Sequence, residues 1–190
     1  MIASPTRAAL SGLVLAVLTA CSSVAPKYTL VPENVNRLRD AGLEPAKVGD
    51  FNAAAKNGND VNHLTIRAGS YQSPYDGSYV NYLREALRME LDEARLLNPN
   101  ATVEVSGFLL RNELNAASIA TADAQIEARF VVKRGDQVRF DKVLTATHQW
   151  ESSFMGNLAI PRAQQNYPTV IQKLLANLYA DPDFIASMRK

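Results

Sequence analysis

Thr121-Ala122-Asp123-Ala124-Gln125-Ile126-Glu127-Ala128-Arg129-Phe130-Val131-Val132 leads through Lys133-Arg134-Gly135-Asp136 into Gln137–Trp150, and this stretch decides the fold. From Ile119 to Lys133, Ala120, Ala122, Ala124, Ile126, Ala128, Phe130 and Val132 alternate with Thr121, Asp123, Gln125, Glu127 and Arg129. A period of two is the signature of a strand with one buried and one wet face. Gln137–Trp150 repeats the pattern, placing Val138, Phe140, Leu144, Ala146, His148 and Trp150 on one parity. The Lys133–Asp136 turn between them makes a hairpin, with arms longer than the usual five or six residues. The alanines on the buried parity leave room for a helix to approach closely.

Upstream, Tyr79, Leu83, Ala86, Leu87, Leu91 and Ala94 recur every three or four residues, so the helix they form lays an apolar stripe on the sheet. Ser73 as N-cap, Pro74 at the first position and Asp76 near the positive end of the dipole are expected to open it. Asn98-Pro99-Asn100 ends it. Ala101–Glu113 reads as a strand with Val103 and Val105 on one face. Downstream, Val170, Ile171, Leu174, Leu175 and Leu178 form a second helical stripe. Pro168 fits only a first turn, so this helix is expected to begin near residues 165–168. Asp181-Pro182 then opens a short last helix. Smaller elements precede all of these: a helix over Asn34–Ala41 stopped by Gly42, a strand over Ala46–Phe51, a loop over Asn52–Asn62 and a strand over His63–Ala68. The expected fold is α+β, an antiparallel sheet with a long β-hairpin and two main helices packed on one face, in the order β-α-β-β-β-α.

The amino terminus is of another kind. Arg7 is the sole charge of residues 1–20, and Ala8–Ala20 is an uncharged run of 13 residues. That is shorter than the roughly 20 residues of a spanning helix and fits the apolar region of an export signal. Its end, Leu18-Thr19-Ala20-Cys21, resembles the lipobox of bacterial lipoproteins. The resemblance implies a diacylglyceryl group on the Cys21 thiol, cleavage before Cys21 and acylation of the new amino terminus. Cys21 is the only cysteine, so no disulfide can form, and lipidation gives this lone thiol a role. In bacterial lipoproteins an aspartate after the cysteine favours inner-membrane retention. Ser22 therefore points to the outer membrane and its periplasmic face. The expected organisation is a signal peptide over 1–20, a lipidated cysteine and tether over 21–32, and one α+β domain over 33–190.

Composition narrows the function. Arg7 is one of 20 basic residues, which leaves 19 against 19 acidic ones in a mature chain of about 170 residues. A charge near zero without like-charge blocks argues against nucleic acid as a partner. Nucleophile-elbow, zincin, P-loop and dinucleotide motifs are absent. The two histidines, His63 and His148, have no histidine or cysteine at ligand spacing, so neither a metal nor a cofactor is expected. His148, beside Trp150, reads as a core or sheet-edge residue. Trp150–Pro161 departs from a plain loop, because Phe154, Met155, Leu158 and Ile160 are more apolar than strand alternation explains. They either close the end of the core or form a partner contact.

Ser73-Pro74-Tyr75, Tyr82–Leu87, Trp150–Phe154, Ile160–Ala163, Tyr167-Pro168, Lys173–Leu175 and Asp181–Phe184 together resemble a group of uncharacterised proteobacterial outer-membrane lipoproteins. The element order is also similar to YajG-like lipoproteins and to periplasmic α+β domains of envelope-assembly lipoproteins. The resemblance brings no assigned activity. The expectation is a lipid-anchored, non-enzymatic binding or scaffold module in outer-membrane maintenance or assembly. It would touch the membrane through its anchor and an envelope protein through sheet edges or the Phe154–Ile160 stretch. The alternatives are a subunit of an oligomeric export or secretion complex and an envelope hydrolase.

Overall fold

A computed structural model describes residues 22–54 and 60–190. Its elements are β1 (Ser22–Val24), α1 (Pro32–Asp40), β2 (Ala46–Ala53), β3 (Leu64–Ile66), β4 (Gly69–Gln72), α2 (Tyr79–Glu93), β5 (Val103–Asn115), β6 (Thr121–Arg134), β7 (Gln137–Glu151), α3 (Gly156–Ala180) and α4 (Pro182–Ser187). The class is α+β. The main sheet has the order β2-β5-β6-β7, and a smaller sheet has the order β1-β4-β3. The hairpin β6–β7 is continuous from Arg134↔Gln137 to Thr121↔Glu151. Its 14- and 15-residue arms make it roughly 45 Å long at about 3.3 Å per residue.

The main sheet is antiparallel only from β5 to β7. β2 joins β5 in parallel, Ala46 facing Val103. A parallel pair needs a long crossover, and α2 with the small sheet supplies it. Helices α2 and α3 pack on the sheet's inner face, where Ala122, Ala124, Ile126, Ala128, Phe130 and Val132 are buried. Above them, Leu83, Leu87 and Leu91 of α2 and Leu174, Leu175 and Leu178 of α3 are fully buried. Gly107 fits the centre of β5 because a side chain there would stand 2.7 Å from the Phe51 ring. Val138 departs from the expected parity. A bulge pairs Val132 with Phe140 and Lys133 with Val138, which leaves Arg139 as the extra residue. One inserted residue reverses the alternation, and Val138 faces solvent.

Both main helices begin elsewhere than their prolines suggest. α2 starts at Tyr79, with Ser78 as N-cap accepting the Asn81 N–H at 3.2 Å. Ser73–Gly77 is instead a turn in which Asp76 and Gly77 have φ of 54° and 69°. Left-handed backbone cannot continue a right-handed helix. Asn62 completes this cap from a neighbouring loop, its Oδ1 accepting the Tyr79 N–H at 2.8 Å.

α3 starts at Gly156, about three turns before the expected position, and runs through both Pro161 and Pro168. A proline inside a helix leaves the carbonyl four residues back without its N–H partner. For Pro168 that carbonyl is Gln164, and the buried Tyr71 hydroxyl donates to it at 3.2 Å.

The segment expected to be a free tether is bound along its length. β1 pairs in parallel with β4 from Ser22↔Ser70 to Val24↔Gln72. The Ala25 N–H donates to Gln72 at 2.8 Å, and the Pro26 carbonyl accepts the Tyr82 hydroxyl at 2.9 Å. Ser-Ser-Val carries no strand periodicity of its own, so its pairing is set by β4, a partner nearly fifty residues away.

Candidate functional site

Cys21 lies outside the described residues, and the chain start is therefore described from Ser22 onward. Ser22 and Ser23 form one wall of an apolar groove of about 470 Å³ whose other walls are Ile66, Arg67, Ala68, Gly69 and Ile160. The small sheet thus meets the first turns of α3. Arg67, at the β3–β4 turn with φ 56°, donates from its guanidinium to the Ser153 carbonyl at 2.6 Å. Arg162 donates to the Ser152 carbonyl at 3.2 Å, and the Ser152 N–H donates to Ala120 at 2.9 Å. These bonds gather the β3–β4 turn, the β5–β6 loop and the start of α3 at one end of the molecule, where β1 is held by its pairing with β4.

The four residues singled out in the sequence all belong to this end, in different states. Phe154 is 78% exposed, Met155 56% and Leu158 45%. They are not the closing layer of the core. Ile160 is half-buried, packs on the core and lines the groove. The structure adds Val24 and Ile119, both exposed. Ile119 falls on the polar parity of the β6 alternation, a signal present in the sequence; Val24 carried none.

Further along the chain, the N-terminal segment is clamped by a buried carboxylate. Glu90 projects from α2 and has no exposed surface. Its carboxylate accepts the Tyr28 hydroxyl at 2.6 Å and the Asn34 amide at 3.2 Å. That amide also donates to the Gln172 carbonyl, and Gln172 in turn donates to Thr29. Burial raises the Glu90 carboxyl above its ordinary range, against the lowering effect of the hydrogen bonds from Tyr28 and Asn34. Burial first, and then the Glu90 charge, push the Tyr28 hydroxyl far up as well. The buried Tyr179 hydroxyl lies against the same carboxylate without reaching a hydrogen bond of good geometry. The clamp joins α1, α2 and α3 to residues 28–34.

The histidines are apart from both features. His63 is exposed on the loop before β3. His148 sits between β7 and α3, with Nδ1 3.1 Å from the Lys173 ammonium and Nε2 3.1 Å from Asn166 Oδ1. The ammonium can only donate, so Nδ1 accepts, and Nε2 carries the hydrogen given to Asn166. Both ring nitrogens are thereby engaged by side chains that are not carboxylates. Among the described residues, no group of three or more histidines, cysteines or carboxylates is placed to hold a metal ion. Helix α3 also covers part of the β7 edge, where Asn177 donates to the Thr145 carbonyl at 2.9 Å and Lys173 to Thr147 at 3.5 Å. Strand addition, expected as one contact mode, is obstructed over that stretch.

No protein-family model matches the chain, and no curated protein matches it. Solved structures do share its architecture. A Xanthomonas campestris protein of the DUF330 family superposes with a TM-score of 0.55 at 10% identity, over 86% of this chain and 95% of that one. At that identity the likeness concerns the fold alone. Weaker likenesses, too distant to carry an argument, are to a Caulobacter crescentus protein classed provisionally as a lipoprotein (TM-score 0.43, 8% identity, 81% and 93% covered) and to a minor lipoprotein of Acinetobacter baumannii (0.39, 12%, 70% and 90%). Among the described residues no helix is long and apolar enough to cross a membrane.

Proposed function

We propose that the chain is an envelope lipoprotein held by an acylated Cys21 at the periplasmic face of the outer membrane, and that it works by binding rather than by catalysis. The lipobox carries this reading. The folded body supports it, because Ser22, the residue directly after the one that would bear the lipid, is paired into the small sheet through β1. The resemblance to uncharacterised outer-membrane lipoproteins agrees with it. Several acyl chains, at roughly 0.8 kcal/mol per buried CH₂, make such an anchor effectively permanent. An envelope protein is the proposed second partner. The outer face of the main sheet offers it a mixed surface in which Phe108 lies among Glu104, Arg129 and Asp141.

Separation of inner and outer membranes from cells making the wild type and Cys21→Ala tests the reading. Wild-type protein in the outer-membrane fraction and Cys21→Ala in the soluble fraction are expected. Cys21→Ala remaining in the membranes contradicts the anchor, and wild-type protein in the inner-membrane fraction contradicts the sorting.

A further inference from the structure

Seven large apolar side chains stand exposed among the described residues: Val24, Ile119, Val138, Val143, Phe154, Met155 and Leu158. Five of them lie at the end of the molecule where β1 meets the start of α3. Val24 is on β1, two residues after the groove-lining Ser22. Phe154 and Met155 follow Ser153, whose carbonyl is held by Arg67 of the groove. Leu158 is in the first turn of α3, ahead of the groove-lining Ile160. Ile119 precedes Ala120, whose carbonyl accepts the Ser152 N–H. Such clustering needs an occupant, since scattered exposed residues are ordinary and a contiguous patch is not.

The position of β1 names the occupant. Cys21 is bonded directly to Ser22, and β1 fixes Ser22 against β4, so a lipid on Cys21 would emerge at the rim of this patch with no intervening tether. Arg67 and Arg162 hold the rim of the patch in place, donating to the Ser153 and Ser152 carbonyls. We propose, resting on the lipid-anchor reading, that Val24, Ile119, Phe154, Met155 and Leu158 form a membrane seat, with these side chains inserted at the headgroup–acyl boundary around the anchor. The strands of β6 and β7 then stand away from the bilayer. The Arg134-Gly135 turn is held at the far end, roughly 45 Å along the hairpin. The stretch read as either core closure or partner contact is thus given to lipid, and the rest of the surface is presented to the periplasm in one orientation.

The test uses the full acylated protein in vesicles of phosphatidylethanolamine and phosphatidylglycerol, with no other protein present. Ile119→Cys, Met155→Cys and Val138→Cys each carry an environment-sensitive fluorophore, and acylation of Cys21 is checked by mass spectrometry. Quenching by spin-labelled lipid at positions 119 and 155, with position 138 unquenched, is the expected result. If Cys21 is acylated and the protein is vesicle-bound, yet positions 119 and 155 are as water-exposed as 138, the seat is overturned and the anchor stands. Shielding at 119 and 155 without lipid quenching means that a second copy covers the patch, and this also overturns the seat. If Cys21 carries no lipid and the protein stays off the vesicles, the anchor reading itself has failed.

Discussion

The Tyr71 hydroxyl, on β4 of the small sheet, donates to the Gln164 carbonyl of α3, the carbonyl that Pro168 leaves without a partner. One bond thereby lets a long helix pass through a proline and fastens the small sheet to it. Tyr71→Phe removes the donor while keeping the ring packed against Tyr79 and Tyr167. Leaving this part-buried carbonyl unsatisfied costs at most about 1–3 kcal/mol, and a loss toward the lower end of that range is expected in urea unfolding. In a Pro168→Ala background the backbone N–H returns to Gln164, so Tyr71→Phe is expected to cost less there. Equal losses in the two backgrounds would count against this pairing.

Glu90 makes stability depend on pH in a definite direction. Its carboxyl titrates near 4.5 in the unfolded chain and higher in the folded one, because burial disfavours the charge. Between those values the folded protein keeps a proton that the unfolded chain releases, so stability falls as pH rises through the interval. Glu90→Gln has no proton to lose. Urea midpoints taken from about pH 4 to about pH 8 should show the variant gaining on the wild type as pH rises above 4.5, then a constant difference above the folded value. Parallel curves would show that the carboxyl titrates alike in both states.

Gly107 has no room for a side chain. A Cβ would stand 2.7 Å from the Phe51 ring and 3.0 Å from the Arg129 carbonyl. Gly107→Ala should therefore displace Phe51 from its edge-on contact with Phe130. Overpacking of this kind costs about 1–3 kcal/mol, readable as a lowered midpoint. An unchanged midpoint would mean that Phe51 has freedom to move aside.

Exposed and buried apolar residues of α3 and its approach should separate cleanly. Phe154→Ser and Met155→Ser are expected to shift stability by no more than about 0.5 kcal/mol, as for surface changes generally. Leu174→Ala, at a fully buried position, is expected to cost about 2–5 kcal/mol. A large loss at Phe154 would return that residue to the core.

Much of this architecture was legible in the chain, for physical reasons that also mark where legibility stopped. The β6 strand was readable because Ala122 to Val132 obey one local period, and the α2 and α3 stripes because Leu83, Leu87, Leu91 and Leu174, Leu178 obey another. Val138 was misplaced because the bulge at Arg139 depends on pairing with β6 and has no local signature. Pro74 and Pro168 both carry the local signature of a helix start. The first lies in a turn made by Asp76 and Gly77, and the second is tolerated mid-helix with help from Tyr71, distant in sequence. β1 was missed since its pairing comes wholly from β4. At the end of the molecule where β1 meets α3, Phe154, Met155 and Leu158 stand out as apolar excess. Their gathering with Val24 and Ile119 depends on the Arg67–Ser153 and Ser152–Ala120 hydrogen bonds, which only the folded chain brings together.

The central claim is that Cys21 carries the protein's lipid. Mass spectrometry of the protein extracted from bacterial membranes tests it most directly. The account predicts a chain that begins at Cys21, lacks residues 1–20 and bears acyl groups on its first residue, with Cys21→Ala accumulating unacylated. An N-terminal peptide with residues 1–20 intact, or with Cys21 unmodified, would contradict it.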